Sequence, residues 1–184
     1  AGRLGAGNYT GNISNSGALI YSGTNNQTLS GVITGTGNLT QNASSTLTLS
    51  GTNSLTGITT INAGTLAISN NMTIGAIAGS GNLSLGSGFT LTSNSTSNSN
   101  FSGLISGSGA LAKNGASTLT LGGNNTYSGA TTISAGTIEI GAAGRLGGGN
   151  YSQNIANNGV LIYSGTNNQT LGGNISGTGA LTHN

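Results

Sequence analysis

The start of this chain returns as its end. Positions 1–42 and 143–184 are related by an offset of 142 without a gap and are identical at 31 of 42 places, with AGRLG, LIYSGTNNQTL and GTG repeated verbatim. A weaker echo lies inside that unit, where 29–68 matches 101–140 at an offset of 72 with 22 of 40 positions identical. Repetition at a fixed period marks an architecture in which each unit packs on the next instead of around one central core. The chain holds about one and a third copies of the longer repeat, and both ends fall at arbitrary phases of it, so a longer parent array is expected.

The local pattern is strand, with no helical periodicity. STLTLSG at 45–51 and STLTLGG at 117–123 set Thr46/Thr48 against Leu47/Leu49 and Thr118/Thr120 against Leu119/Leu121. That period of two is a half-buried strand with leucines inward and threonines outward. Similar short strands are predicted at 38–41, 59–61, 65–68, 83–85, 89–92, 110–112, 131–133 and 137–140, with centres roughly nine residues apart. Gly, Asn and Ser fill the gaps, and these tolerate positive φ or bond their own backbone, so each break is a turn. The run SNSTSNSN at 93–100 reads as a loose loop.

Three strands and three corners per coil would divide the 72-residue module into three coils of roughly 24 residues, and the whole chain into about seven or eight. Equivalent residues would then stack ~4.8 Å apart. The expected fold class is therefore all-β, a parallel β-helix (β-solenoid) forming one segment over 1–184. Its interior would be Leu, Ile, Val and Ala, and its exterior Thr, Ser and Asn, which suit stacked strands. The absence of Pro fits, because internal coils donate hydrogen bonds to neighbours on both sides.

Composition excludes most chemistry. Gly, Thr, Asn and Ser supply 114 of 184 residues; there are three basic residues, one His, no Cys and no Asp, and Glu139 is the only carboxylate. Paired-carboxylate catalysis, Asp-oriented triads and oxygen-ligand cation cages lack their parts. No catalytic, cofactor-binding or metal-binding residue is expected, and no cofactor. His183 has no second His, Cys or Asp with which to share a metal. Three Lys/Arg cannot neutralise a phosphate backbone, so nucleic acid is not an expected partner. No apolar run approaches the ~20 residues of a membrane span.

The conspicuous residues have ordinary readings. Arg3 and Arg145 occupy the same place in AGRLG and read as solvated corner residues. Gln41, Lys113 and His183 align across modules, and a position that accepts an amide, an ammonium or an imidazole is not a catalytic one. Glu139 alternates with Ile138 and Ile140 and should be exposed. The Gly-rich stretches 5–11 and 79–86 lack a following helix and a Lys-Ser/Thr, so they read as corners and not phosphate loops. Tyr9, Tyr21, Tyr127, Tyr151 and Tyr163 invite comparison with a carbohydrate-stacking strip, but packing or corner plugging is the expectation. Thr-x-Thr at 46/48, 90/92 and 118/120 is the pattern of ice-binding solenoids, a remote alternative that would need the motif on one face in every coil.

Residues 116–140, ASTLTLGGNNTYSGATTISAGTIEI, resemble the autotransporter-associated β-strand repeat, also called the passenger-associated transport repeat, of bacterial type V secretion passenger domains. The matching positions are Leu119, Leu121, Gly123, Asn125, Tyr127, Gly129, Thr131, Ile133, Ala135, Gly136, Thr137 and Ile138. Residues 47–68 form a second copy that departs at Leu55, in the Tyr position, and at Ile58, in a small-residue position. The resemblance implies a right-handed coil displayed outside a Gram-negative cell. The functional expectation is a non-catalytic, rigid stalk or fibre supporting adhesion or surface display. The alternative is a self-assembling extracellular filament or sheath joined through solenoid ends or flat faces. Expected partners are other copies or further repeats of the chain, and host or environmental surfaces or polysaccharide.

Overall fold

A computed structural model describes residues 2–184. The chain winds as a parallel β-solenoid with three faces. Face A opens with Asn8–Tyr9, Gln27–Leu29 and Thr46–Leu49, face B with Ile13–Ser14, Ile33–Gly35 and Asn53–Leu55, and face C with Ala18–Tyr21, Asn38–Gln41 and Ile58–Ile61. Faces B and C are each nine strands deep, so the described residues make nine coils. Face A holds six consecutive strands, then continues through an isolated Asn124↔Arg145 bridge and the pair Asn150–Tyr151 and Thr170–Leu171.

The coil is shorter than the sequence pattern predicts. Partner numbers differ by 20 at Ile13↔Ile33, Leu19↔Leu39 and Leu161↔Leu181, contracting to 17 at Thr65↔Asn82 and expanding to 24 at Thr131↔Ile155. A step of about 20 per coil, repeated over nine coils, replaces the expected step of roughly 24 over seven or eight. The difference comes from strands such as Asn53–Leu55, Met72–Ile74, Ser99–Phe101 and Ile105–Gly107. Each has only three residues, too few to display an alternation, so they pass for corners when read from sequence.

The two repeats also differ in kind. Ile13–Ser14 and its counterpart Ile155–Asn157 lie on the same face, seven strands apart, so the 142-residue unit is seven whole coils. Thr46–Leu49 lies on face A, but its 72-residue counterpart Thr118–Leu121 lies on face C, three coils and two faces further on. One TLTL strand thus serves two faces, which is possible because each face asks the same of it: leucine inward, threonine outward.

The interior is a stack of side chains. Leu47 and Leu49, Leu66 and Ile68, and Leu83 and Leu85 follow one another on face A, all buried. Each fully buried Leu or Ile contributes about 1.5–3 kcal/mol. Corners are held by asparagine. Asn12, Asn26, Asn38, Asn71, Asn98, Asn154 and Asn158 each accept, through Oδ1, the backbone N–H of a residue one coil on, at 2.9–3.2 Å. Buried Asn125 substitutes for a missing strand: its Oδ1 accepts from Ile105 N at 3.0 Å and its Nδ2 donates to Gly123 O at 2.9 Å. The abundance of Asn is therefore structural.

Two further expectations are corrected. Of residues 93–100, only 94–98 are a corner, tethered between Thr90–Ser93 and Ser99–Phe101, with Ser95 Oγ donating to Ser97 O (2.7 Å) and Ser117 Oγ to Ser95 O (2.7 Å). The hydroxyl-rich run that looks flexible supplies its own hydrogen bonds. Within 79–86, read as a corner, the strand expected at 83–85 is present on face A as Asn82–Leu85, so only the residues flanking it turn the chain. Two 3₁₀ turns, Leu4–Gly7 and Gly147–Gly149, enlarge the corner beside each AGRLG. Among the described residues no helix is long and apolar enough to cross a membrane.

Candidate functional site

The residues singled out from sequence are distributed along the rod. Arg3 is exposed, as expected. Arg145, its counterpart, is half-buried in the enlarged corner, and its Nε is out of solvent without a hydrogen-bond partner. The backbone next to each arginine is clamped in the same way. Gln27 Oε1 accepts from Leu4 N and its Nε2 donates to Leu4 O (2.9 and 3.1 Å), and Gln169 treats Leu146 likewise (2.7 and 3.0 Å). A glutamine side chain from the next coil thus replaces a strand rung.

Gln41, Lys113 and His183 all sit at the inward-facing end of a strand, Gln41 and His183 on face C and Lys113 on face B. Gln41 Nε2 donates to Ala43 O and Ser45 O (3.1 and 2.7 Å), and Lys113 Nζ donates to Gly115 O. His183 lies in the last strand, its ring 5.5 Å from that of Tyr163. At the two buried copies of the aligned position, Gln41 and Lys113, the side chain serves as an N–H donor to corner carbonyls, whereas His183 is exposed in the last coil. Sequence reading missed the consequence for Lys113, which is 0 % exposed. Desolvation lowers its pKa below the usual ammonium range.

Glu139 points outward from its strand but is half-covered, a correction to the expected exposed carboxylate. Its two oxygens accept from Thr120 Oγ1 (3.2 Å) and Ser164 Oγ (2.6 Å), hydroxyls on neighbouring coils. The outward column of face C therefore bridges three coils through one carboxylate.

The tyrosines are packing residues. Tyr127 and Tyr151 are buried one coil apart, ring centroids 5.6 Å, with Thr131 between their hydroxyls at 2.7 Å from each. Tyr151 Oη donates to Gly129 O at 2.5 Å, which sets the direction of the chain: Tyr127 donates to Thr131, and Thr131 to Tyr151. Burial raises the pKa of both phenols, Tyr127 the more strongly. The Asn-Thr-Tyr and Thr-Thr-Ile segments of one repeat thus meet in the core, a contact that linear spacing does not reveal.

The Thr-x-Thr pairs fall on three different faces: Thr46/Thr48 on A, Thr90/Thr92 on B and Thr118/Thr120 on C. No single face, among the described residues, carries these pairs coil after coil, the array that ice binding requires. Among the described residues no group of three or more His, Cys, Asp or Glu could hold a metal ion.

Comparison with known proteins agrees with this architecture. Residues 16–68 and 111–140 match the passenger-associated-transport-repeat family. Over 89 residues the chain is 40% identical to the adhesin BmaC autotransporter of Brucella suis biovar 1 (strain 1330), a match spanning 48% of this chain and 2% of that adhesin. No solved structure matches. The matched stretches hold the buried Leu47, Leu49, Leu119, Leu121, Tyr127 and Ile133 that define the coil interior. The chain is a β-solenoid that carries passenger-associated transport repeats over residues 16–68 and 111–140 and is related, over 89 residues, to an autotransporter adhesin.

Proposed function

We propose that this segment is a rigid, non-catalytic spacer in a protein displayed on the outer surface of a Gram-negative bacterium, where it holds adhesive or other terminal elements away from the cell. The observation that carries the reading is the unbroken depth of faces B and C, nine strands each. At ~4.8 Å per coil this is about 43 Å of rod, in which bending would break ladder bonds on one side. The scarcity of charge leaves little for pH or salt to disrupt near neutrality, which suits a structure exposed to uncontrolled surroundings. The match spans only 2% of the related adhesin, a far longer chain, which suits a spacer that is one part of a larger protein.

Small-angle scattering and negative-stain microscopy test the reading. Single particles should be straight and of constant cross-section, with length rising by about 4.8 Å for each coil of repeat added. A compact or hinged particle would refute it. The filament reading has one observation in its favour: Ile20 and Ile58, 58% and 46% exposed, both project from face C. Concentration-dependent sedimentation that disappears in the Ile20→Thr/Ile58→Thr double variant would select it.

A further inference from the structure

We propose that the step between the fourth and fifth coils is a binding groove for an uncharged saccharide chain. The proposal rests on the spacer reading, since it places this surface in the extracellular solution. In the third coil the corner from face B to face C is Thr56 and Gly57, between Asn53–Leu55 and Ile58–Ile61. In the fourth it is Gly75 alone, between Met72–Ile74 and Ala76–Gly79. In the fifth it swells to residues 94–98. The short coil is recessed between its neighbours, leaving a groove of about 610 Å³, within the range of small-ligand sites.

The far wall is held in place before any ligand arrives. Ser93 Oγ donates to Gly75 O (3.1 Å), Asn94 N to Ile74 O (2.8 Å), and Ser97 N to Ser95 Oγ (3.0 Å). The Asn94 and Asn100 side chains are exposed and, unlike the corner asparagines that bond the next coil, are not used internally. Thr56 and Thr73 present hydroxyls on the opposite side, and Ile58 with Ala78 gives the groove an apolar surface.

The occupant follows from this chemistry. No lining residue is charged, so an anionic or cationic ligand finds no counter-charge. An extended peptide would need a long open sheet edge. Met72 is paired on both sides, with Asn53 and Leu91, whereas Ala76 is paired with Ile58 on one side only, and the edge left open runs just from Ala76 to Ala78 before Gly79 pairs with Phe101, too short for a peptide ladder. A sugar ring offers hydroxyls to the amides and hydroxyls of the walls and a C–H face to Ile58 and Ala78.

The test uses the intact 184-residue chain, titrated calorimetrically and by saturation-transfer NMR with dextran, mannan, galactan and chito-oligosaccharides, and with heparin as the anionic arm. At least one uncharged oligosaccharide should bind, unaffected by about 0.5 M NaCl. The Asn94→Ala/Asn100→Ala double variant should weaken that binding about tenfold, as expected for two lost hydrogen bonds, with its thermal midpoint unchanged. The idea is overturned by no uncharged glycan binding at millimolar concentration, by binding that ignores the double variant, by binding to heparin alone, or by the groove being filled by a second copy in sedimentation. A straight rod that binds no sugar sinks this proposal only; a particle that is not a rod sinks the spacer reading as well.

Discussion

Replacing Lys113 with methionine should make this protein more stable. The ammonium is 0 % exposed, stacked between Ser93 and Ile133 on face B, with Gly115 O as its hydrogen-bond acceptor. Burying a charge without a counter-ion costs several kcal/mol, and a hydrogen bond from a charged donor returns about 1.5–3 kcal/mol. Methionine keeps an unbranched stem and removes both terms, for a net gain of about 2 kcal/mol, or about 4–8 °C in midpoint for a chain of this size. The sign with pH follows from the lowered pKa. Between the folded value and the ordinary one of about 10.4, the unfolded chain holds a proton that the folded chain does not. The native protein therefore gains stability as pH rises through that window, and the variant does not. Thermal or urea melts of both proteins at pH 7 and near pH 10 should show the variant ahead at neutral pH and the gap closing in alkali. Lys113→Gln should fall between them, since Gln41 meets the same carbonyl requirement with a neutral amide. A Lys113→Met protein less stable by about 1 kcal/mol or more, or a gap that does not change with pH, would refute the reasoning.

Gly136 has φ +69°, and a Cβ there would lie 2.3 Å from Gly115 O and 2.4 Å from Ser117 O. Gly136→Ala should cost about 3 kcal/mol or more in urea unfolding, from left-handed strain and the clash together. Thr131→Val leaves the Tyr127 hydroxyl without its acceptor and should cost about 1–3 kcal/mol in the same assay. In alkali the raised phenol pKa values of Tyr127 and Tyr151 mean that the unfolded chain loses protons first, so stability should fall as pH climbs past about 10, less steeply in Tyr151→Phe. Duplicating residues 22–163, one 142-residue unit, should lengthen the particle by about 34 Å in scattering, from seven coils at ~4.8 Å. A duplicated 72-residue step, which shifts strands from one face to another, should lower the midpoint.

Legibility varied with the length over which a pattern persists. Four-residue strands such as Thr46–Leu49 and Thr118–Leu121 carry two inward leucines and are plain from sequence. Asn53–Leu55 and Ser99–Phe101 put Asn53 and Ser99 at inward positions, so polarity hid them and the coil was overestimated by about four residues. The chemically conspicuous positions divide similarly. The wide chemistry accepted at 41, 113 and 183 is visible in the alignment of repeats, whereas the burial of Lys113 is not, because nothing in its neighbours Ala112 and Asn114 distinguishes an inward ammonium from an outward one. The groove beside Gly75 depends on a difference in corner length between adjacent coils, and a reader who has the coil boundaries wrong cannot find it.

Repetition and alternation along the chain determined by themselves that this protein is a stack of short parallel strands with apolar residues inside and hydroxyls and amides outside, because those are local preferences that each repeat restates. Tertiary structure alone decided the 20-residue coil, the seven-coil phase of the long repeat, and the third-turn rotation of the short one. The physical reason is that phase is set by which strands pair, and pairing is a contact between residues about 20 positions apart, on which a pattern of period two says nothing.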